Sequence, residues 1–237
     1  MLFRVPADLR VSATGRSSVI PENGCNPHME LSNHGSIAVL AFPPMMGYPR
    51  LTRAALQDLE ELLEEVMCAG LFTGVVIASN PKSFASGADI AEVAAVTGVG
   101  ARQFAELGQS TCRRITSFPF PVVAAIRGYC LGGALDLAIA CHGRVAAYDA
   151  SFGHPGVAVG LMTGWGGTQR LPRLLGKSAA LQMLLTAERI PATQALTMGL
   201  VDELVSSRDL VSAAAQRAQA LRSASVARTN LGAVPLE

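Results

Sequence analysis

Residues 121–170 read PVVAAIRGYCLGGALDLAIACHGRVAAYDASFGHPGVAVGLMTGWGGTQR, and a change of pattern inside this stretch decides the fold. Val122 to Ile126 is a short apolar, β-branched run behind two Phe-Pro steps, which predicts a buried strand that cannot begin earlier. From Gly133 the apolar residues Leu135, Leu137, Ala138, Ile139 and Cys141 suit a buried helix instead. The junction holds a Gly-Gly pair, Gly132 and Gly133. Such a pair lets a ligand approach the backbone closely, and the first N–H groups of the helix have no intrahelical partner and lie at the positive end of its dipole. They are natural donors to a developing oxyanion.

An enolate oxygen needs a second donor, and a second strand-to-turn junction is present. Residues 74–79, GVVIAS, form another β-branched run, followed by Asn80-Pro81 and by the loop Lys82-Ser83-Phe84-Ala85-Ser86-Gly87-Ala88-Asp89-Ile90. FASGADI and GYCLGGALDLA together resemble the two oxyanion-hole segments of the crotonase (enoyl-CoA hydratase/isomerase) superfamily. GWGGTQRLPRLLG at 164–176 is similar to the segment that follows them there. The resemblance spans about residues 36–205, with the three motifs in order. It implies an α/β fold, a crotonase-like spiral of ββα turns, in which the backbone N–H groups of Ser86 and Gly133 hold the carbonyl of an acyl-CoA thioester. Lys82, Ala85, Ala88, Asp89, Ile90, Gly132, Gly156 and Trp165 would border the substrate.

The acids depart from the family pattern. Hydratases of the superfamily carry one glutamate three residues after the oxyanion glycine and a second shortly after the Phe-Gly segment. Here Asp136 and Gly156 occupy those positions. Asp136 keeps a carboxylate on a side chain one methylene shorter, and Gly156 has no titratable group. His154, two residues before Gly156, is the nearest substitute, since histidine exchanges protons near neutral pH. Hydration needs a proton delivered to one carbon and a water activated at the other, whereas moving a double bond needs one base. Asp136 alone therefore fits isomerisation more easily, while overall similarity keeps hydratase in front. The resemblance leaves open dienoyl-CoA isomerase, decarboxylase and thioesterase chemistry, and an acyl-CoA-binding or assembly subunit without turnover. For Asp89 the residues themselves predict a helix cap, with the helix starting near Ile90.

The 237 residues, half of them apolar and 16% charged, are enough for a sizeable core without metals or disulfides. A net charge of +1 gives no field to recruit nucleic acid or membrane. The five cysteines fall in no Cys-x-x-Cys pair, which fits a reducing compartment. No run reaches membrane-spanning length and the N-terminus lacks a signal-peptide core, so the expected location is the cytoplasm. We expect no metal and no bound cofactor; coenzyme A enters as part of the substrate. The resemblance implies a homotrimer or a dimer of trimers.

Residues 1–28 read as an irregular lead-in, 29–198 as the crotonase-like core, and 199–237 as a shortened C-terminal helical segment ending in Leu236-Glu237. Within the core, residues 36–42 predict a strand and Leu56, Leu59, Leu63 and Val66 a helix stopped by Gly70. Residues 91–116 read as helical with a break around Gly98 to Gly100. Further predictions are a strand near 144–147, helices over 166–188, and a helix over 192–198. Residues 42–50, FPPMMGYPR, replace the asparagine-containing loop with which family members touch the adenine of CoA.

Overall fold

In a computed structural model, residues 28–223 are described; most of the lead-in, Cys25 and the stretch 224–237 with Leu236 and Glu237 lie outside them. The strands are β1 Glu30–His34, β2 Ile37–Ala41, β3 Gly74–Ala78, β4 Val122–Ile126, β5 Tyr129–Leu131, β6 Gly143–Ala147, β7 Ser151–Gly153, β8 Ile190–Pro191 and β9 Glu203–Val205. The helices are α1 Arg53–Ala69, α2 Ile90–Ala95, α3 Gly98–Thr116, α4 Gly133–Ala140, α5 Gly167–Leu175, α6 Lys177–Thr186, α7 Ala192–Thr197 and α8 Leu210–Ser223, with a 3-10 turn at Pro155–Val159.

The main sheet has the order β1-β2-β3-β4-β6-β9. Only β1 runs antiparallel to its neighbour; β2, β3, β4, β6 and β9 are parallel. Alternate residues of the central strands bury on opposite faces. Ile37, Val39, Val76, Ala78, Val123, Ala125, Val145 and Ala147 meet Leu210, Ala214, Ala215 and Ala218 of α8. Ala38, Leu40, Val75, Ile77, Val122, Ala124, Ile126 and Ala146 face the larger core with α1, α3 and α4. Burial on both faces is why β3 and β4 read as continuous apolar runs rather than as an alternation. A small second sheet, β5-β7-β8, stands beside the first.

The helix boundaries follow from local chemistry. Thr52 caps α1 by accepting from the Ala55 N–H at 3.1 Å, and Gly70 closes it in the left-handed region at φ 64°. The break expected around Gly98 to Gly100 falls instead at residues 96–97, and both glycines lie in the first turn of α3. Val96 and Thr97 take extended backbone there, and a β-branched pair does so more readily than it propagates a helix. The helical stretch over 166–188 is two helices, separated at Gly176. Beyond residue 199 the chain first adds β9 to the sheet edge and only then forms α8.

Arg144 fastens that last crossover. Its buried guanidinium donates to the carbonyls of Leu200 (Nε, 2.7 Å) and Cys141 (Nη1, 3.0 Å), while its backbone N–H donates to Asp202 Oδ2 at 2.7 Å. Arg144→Leu removes the donor from both carbonyls, and each such loss typically costs ~1–3 kcal/mol. The expected result is a destabilisation of about 3 kcal/mol, read as a lower urea midpoint at unchanged slope.

Candidate functional site

The two glycine turns are brought together by the loop after β3. Asn80 Oδ1 accepts from the N–H groups of Lys82 and Ser83, both at 2.8 Å. The Ser83 hydroxyl donates to the Tyr129 carbonyl at 2.9 Å and accepts from the Tyr129 N–H at 2.8 Å. Ala85 then pairs with Cys130 as a parallel bridge. These bonds lay residues 85–87 along β5 and set Gly87 against Gly132 and Gly133. At Gly87, φ is 98°, and an added Cβ would stand 2.7 Å from the Leu131 carbonyl. Only glycine fits there.

The two expected donors differ in their present bonding. Among the described residues, nothing accepts from the Gly133 N–H, which opens α4. The Ser86 N–H donates to the Pro49 carbonyl at 2.9 Å, and the Ser86 hydroxyl points to the same oxygen at 3.2 Å. Behind this lies a short parallel pairing of Leu51 with Ala88, in which the Leu51 N–H donates to the Gly87 carbonyl. The 42–50 segment thus reaches the 82–90 loop through its main chain.

Asp136 lies one turn into α4, with 1% of its surface exposed. One carboxylate oxygen, Oδ2, accepts from the Thr163 hydroxyl. The other, Oδ1, stands 3.3 Å from His154 Nε2, and neither of these two atoms has a hydrogen bond of good geometry. His154 is itself 4% exposed. It is carried in by β7, whose Gly153 carbonyl accepts from the Gly132 N–H at 2.9 Å. An added Cβ at Gly167 would overlap Asp136 Oδ1, so the carboxylate occupies space that only glycine leaves open. Burial pushes the neighbouring Cys112 thiol up to about 12 and the Cys130 thiol well above its ordinary range. Both are neutral at physiological pH.

The position after the Phe-Gly segment is filled by backbone. An added Cβ on Gly156 would lie 2.9 Å from the Leu161 carbonyl, and the Leu161 N–H donates back to the Gly156 carbonyl at 2.8 Å. Gly156→Glu is therefore expected not to restore a second acid but to destabilise the chain by ~1–3 kcal/mol through overpacking. Thermal unfolding beside turnover checks it; raised turnover at unchanged stability would contradict the geometry.

Ser86, Ala88, Ile90, Gly132, Gly133, Asp136, His154, Gly156 and Trp165 all line one cavity of about 330 Å³. Lys82, Ala85 and Asp89 do not. Lys82 is exposed and Ala85 is buried in the core. Asp89 caps α2, its Oδ1 accepting from the N–H groups of Ala91 and Glu92. The Arg50 guanidinium at 2.9 Å, joined by these N–H donors, holds its carboxyl below the usual range. The remaining walls are apolar, chiefly Val93, Val96, Phe104 and Ala105 on one side and Leu161, Met162 and Leu184 on the other. Trp165 stands on the Gly133 end, edge-on to Phe104 at 5.3 Å, and its carbonyl accepts from Arg170 Nη1 at 3.0 Å. An added Cβ at either Gly108 or Gly133 would overlap the indole.

Thr163, Pro49 and Gly167 were not singled out in the sequence. Thr163 just before GWGG and Gly167 as its last residue carry no mark that sets them against Asp136, and Pro49 acts through its carbonyl, which any residue has.

Comparison with known proteins agrees with this architecture. DspI of Pseudomonas aeruginosa superposes with a TM-score of 0.77 at 31% identity, over 85% of this chain and 78% of that one. An enoyl-CoA hydratase from Bacillus anthracis gives 0.80 at 30% identity, over 88% and 85%. One from Thermoplasma volcanium gives 0.79 at 26%, over 85% and 81%. These neighbours define a crotonase-fold α/β protein. The enoyl-CoA hydratase/isomerase family model matches residues 39–231, and the chain belongs to that family.

Proposed function

We propose that the cavity binds an acyl-CoA thioester and that the chain moves a proton at the carbon beside its carbonyl, in an enoyl-CoA hydratase/isomerase type of reaction. One observation carries this reading: an acceptor-free N–H at Gly133 and a buried carboxylate at Asp136 line the same apolar cavity. The Gly133 N–H holds the thioester oxygen as it gains charge, where one pre-organised donor typically contributes roughly 2.7–4 kcal/mol to the transition state. Ser86 supplies the second donor when its N–H exchanges the Pro49 carbonyl for the substrate oxygen. Asp136 takes and returns the proton through Oδ1, since Thr163 occupies Oδ2. The apolar walls from α2, α3 and residues 161–165 receive the acyl chain, and coenzyme A comes as part of the substrate. We expect the assembly to be a homotrimer or a dimer of trimers.

The test is turnover of crotonyl-CoA and of a 3-enoyl-CoA by the purified protein, followed through the conjugated thioester. Loss of conjugation from crotonyl-CoA marks hydration, and its gain from the 3-enoyl thioester marks isomerisation. The filled space at Gly156 favours a second reading, an acyl-CoA-binding subunit without turnover. Saturable binding with neither reaction would establish that reading and sink the first.

A further inference from the structure

The arrangement around Asp136 carries the proposed reaction further. A buried carboxylate and a buried imidazole stand 3.3 Å apart, both border the cavity, and the facing atoms, Asp136 Oδ1 and His154 Nε2, each lack a well-formed hydrogen bond. Buried polar atoms are seldom left so, and their pairing or use calls for an explanation. Oδ2 is engaged, because Thr163 Oγ1 donates to it, while Oδ1 packs against Gly167 and faces His154. The other polar groups near the pair are accounted for. Cys112 of α3 and Cys130 of β5 are thiols that burial keeps neutral, and Arg170 of α5 is held by the Trp165 carbonyl.

We infer that Asp136, His154 and Thr163 form one proton relay, in which His154 is the second proton carrier for adding water to a 2-enoyl thioester and Thr163 is the residue that positions the carboxylate. This inference rests on the acyl-CoA reading above.

The relay closes in protons and electrons. The oxygen of a water bonds to the β-carbon of the enoyl thioester, the double-bond pair shifts toward the carbonyl, and the thioester oxygen becomes the enolate oxygen held at Gly133. The proton lost by that water goes to His154 Nε2. The carbonyl re-forms, and the α-carbon takes the proton that Asp136 Oδ1 carried. The imidazolium then passes its proton across the 3.3 Å gap to Asp136, which restores a neutral acid and a neutral imidazole. The positive charge that His154 gains is matched by the enolate until Asp136 gives up its proton, so the pair and the substrate together keep the same net charge throughout, as buried charges require. The backbone packing at Gly156 leaves no space there for a carboxylate, and His154 reaches the same cavity from two residues earlier.

The test compares His154→Gln with Thr163→Val and Thr163→Ser on both substrates. His154→Gln is expected to lower kcat for hydration of crotonyl-CoA by on the order of 10²–10⁴-fold. KM stays close to wild type, and isomerisation of a 3-enoyl-CoA, in which Asp136 enters as the carboxylate and itself takes and returns the proton, falls far less. Thr163→Val is expected to lower kcat for both reactions by about 10–10²-fold, and Thr163→Ser to restore it. Independently of turnover, the ¹⁵N shift of His154 Nε2 should move on Asp136→Asn and on Thr163→Val. Equal losses of hydration and isomerisation in His154→Gln would overturn the relay. An Nε2 shift indifferent to both changes would do so as well. A wild type that turns over neither substrate removes the acyl-CoA reaction, and the Nε2 shift then decides whether the pair exists.

Discussion

Asp136→Asn is expected to lower turnover by on the order of 10²–10⁴-fold, the usual contribution of a positioned proton-transfer group, with the fold retained. The substitution preserves shape in a place with almost no spare room: the side chain is 1% exposed, and one oxygen lies against Gly167. The amide oxygen can still accept from the Thr163 hydroxyl, while the amide nitrogen takes the place of Oδ1 opposite His154. What is lost is the ability to give or take a proton. Initial rates with crotonyl-CoA and a 3-enoyl-CoA, beside a thermal unfolding curve, measure the effect. Rates within about tenfold of wild type would place the proton transfer elsewhere.

Gly133→Ala is expected to damage both stability and turnover. A Cβ on this residue would overlap the six-membered ring of Trp165. The indole cannot withdraw, because its other edge fills the space that Gly108 leaves on α3 and Phe104 stands edge-on at 5.3 Å. Overpacking of this sort typically costs ~1–3 kcal/mol. If α4 yields instead of the indole, the N–H proposed to hold the oxyanion is displaced, a loss of roughly 2.7–4 kcal/mol in the transition state, or about 10²–10³ in rate. A Trp165→Leu change in the same chain separates the two effects. The double variant should regain stability relative to Gly133→Ala alone, as coupled neighbours do. Additive losses would mean that the indole is not what Gly133 accommodates.

Much of this fold was legible because its central strands are buried on both faces. The runs of β3 and β4 are apolar from end to end, and Pro81 and Pro121 punctuate the chain beside them. The helix after Gly133, the Gly70 stop and the Asp89 cap were equally plain, since each depends on a few adjacent residues. Strand β1 was not. Its sequence, ELSNH, shows no apolar alternation, because it is an edge strand and its order comes from pairing with β2. The break before α3 was misplaced by reading glycine as the breaker, when Val96 and Thr97 take the extended conformation.

The candidate site divides along the same line. The sequence by itself determined the two glycine turns, the carboxylate of Asp136 three residues after Gly133, and the family, because each is written in residue types at short spacing. Only the tertiary structure decided that His154 faces Asp136, that Thr163 occupies one carboxylate oxygen, that the Pro49 carbonyl holds the Ser86 N–H, and that the Leu161 carbonyl fills the place of a second acid. These contacts join segments far apart in the chain, and several run through backbone carbonyls. Every residue carries a carbonyl, so no residue type announces where one will point.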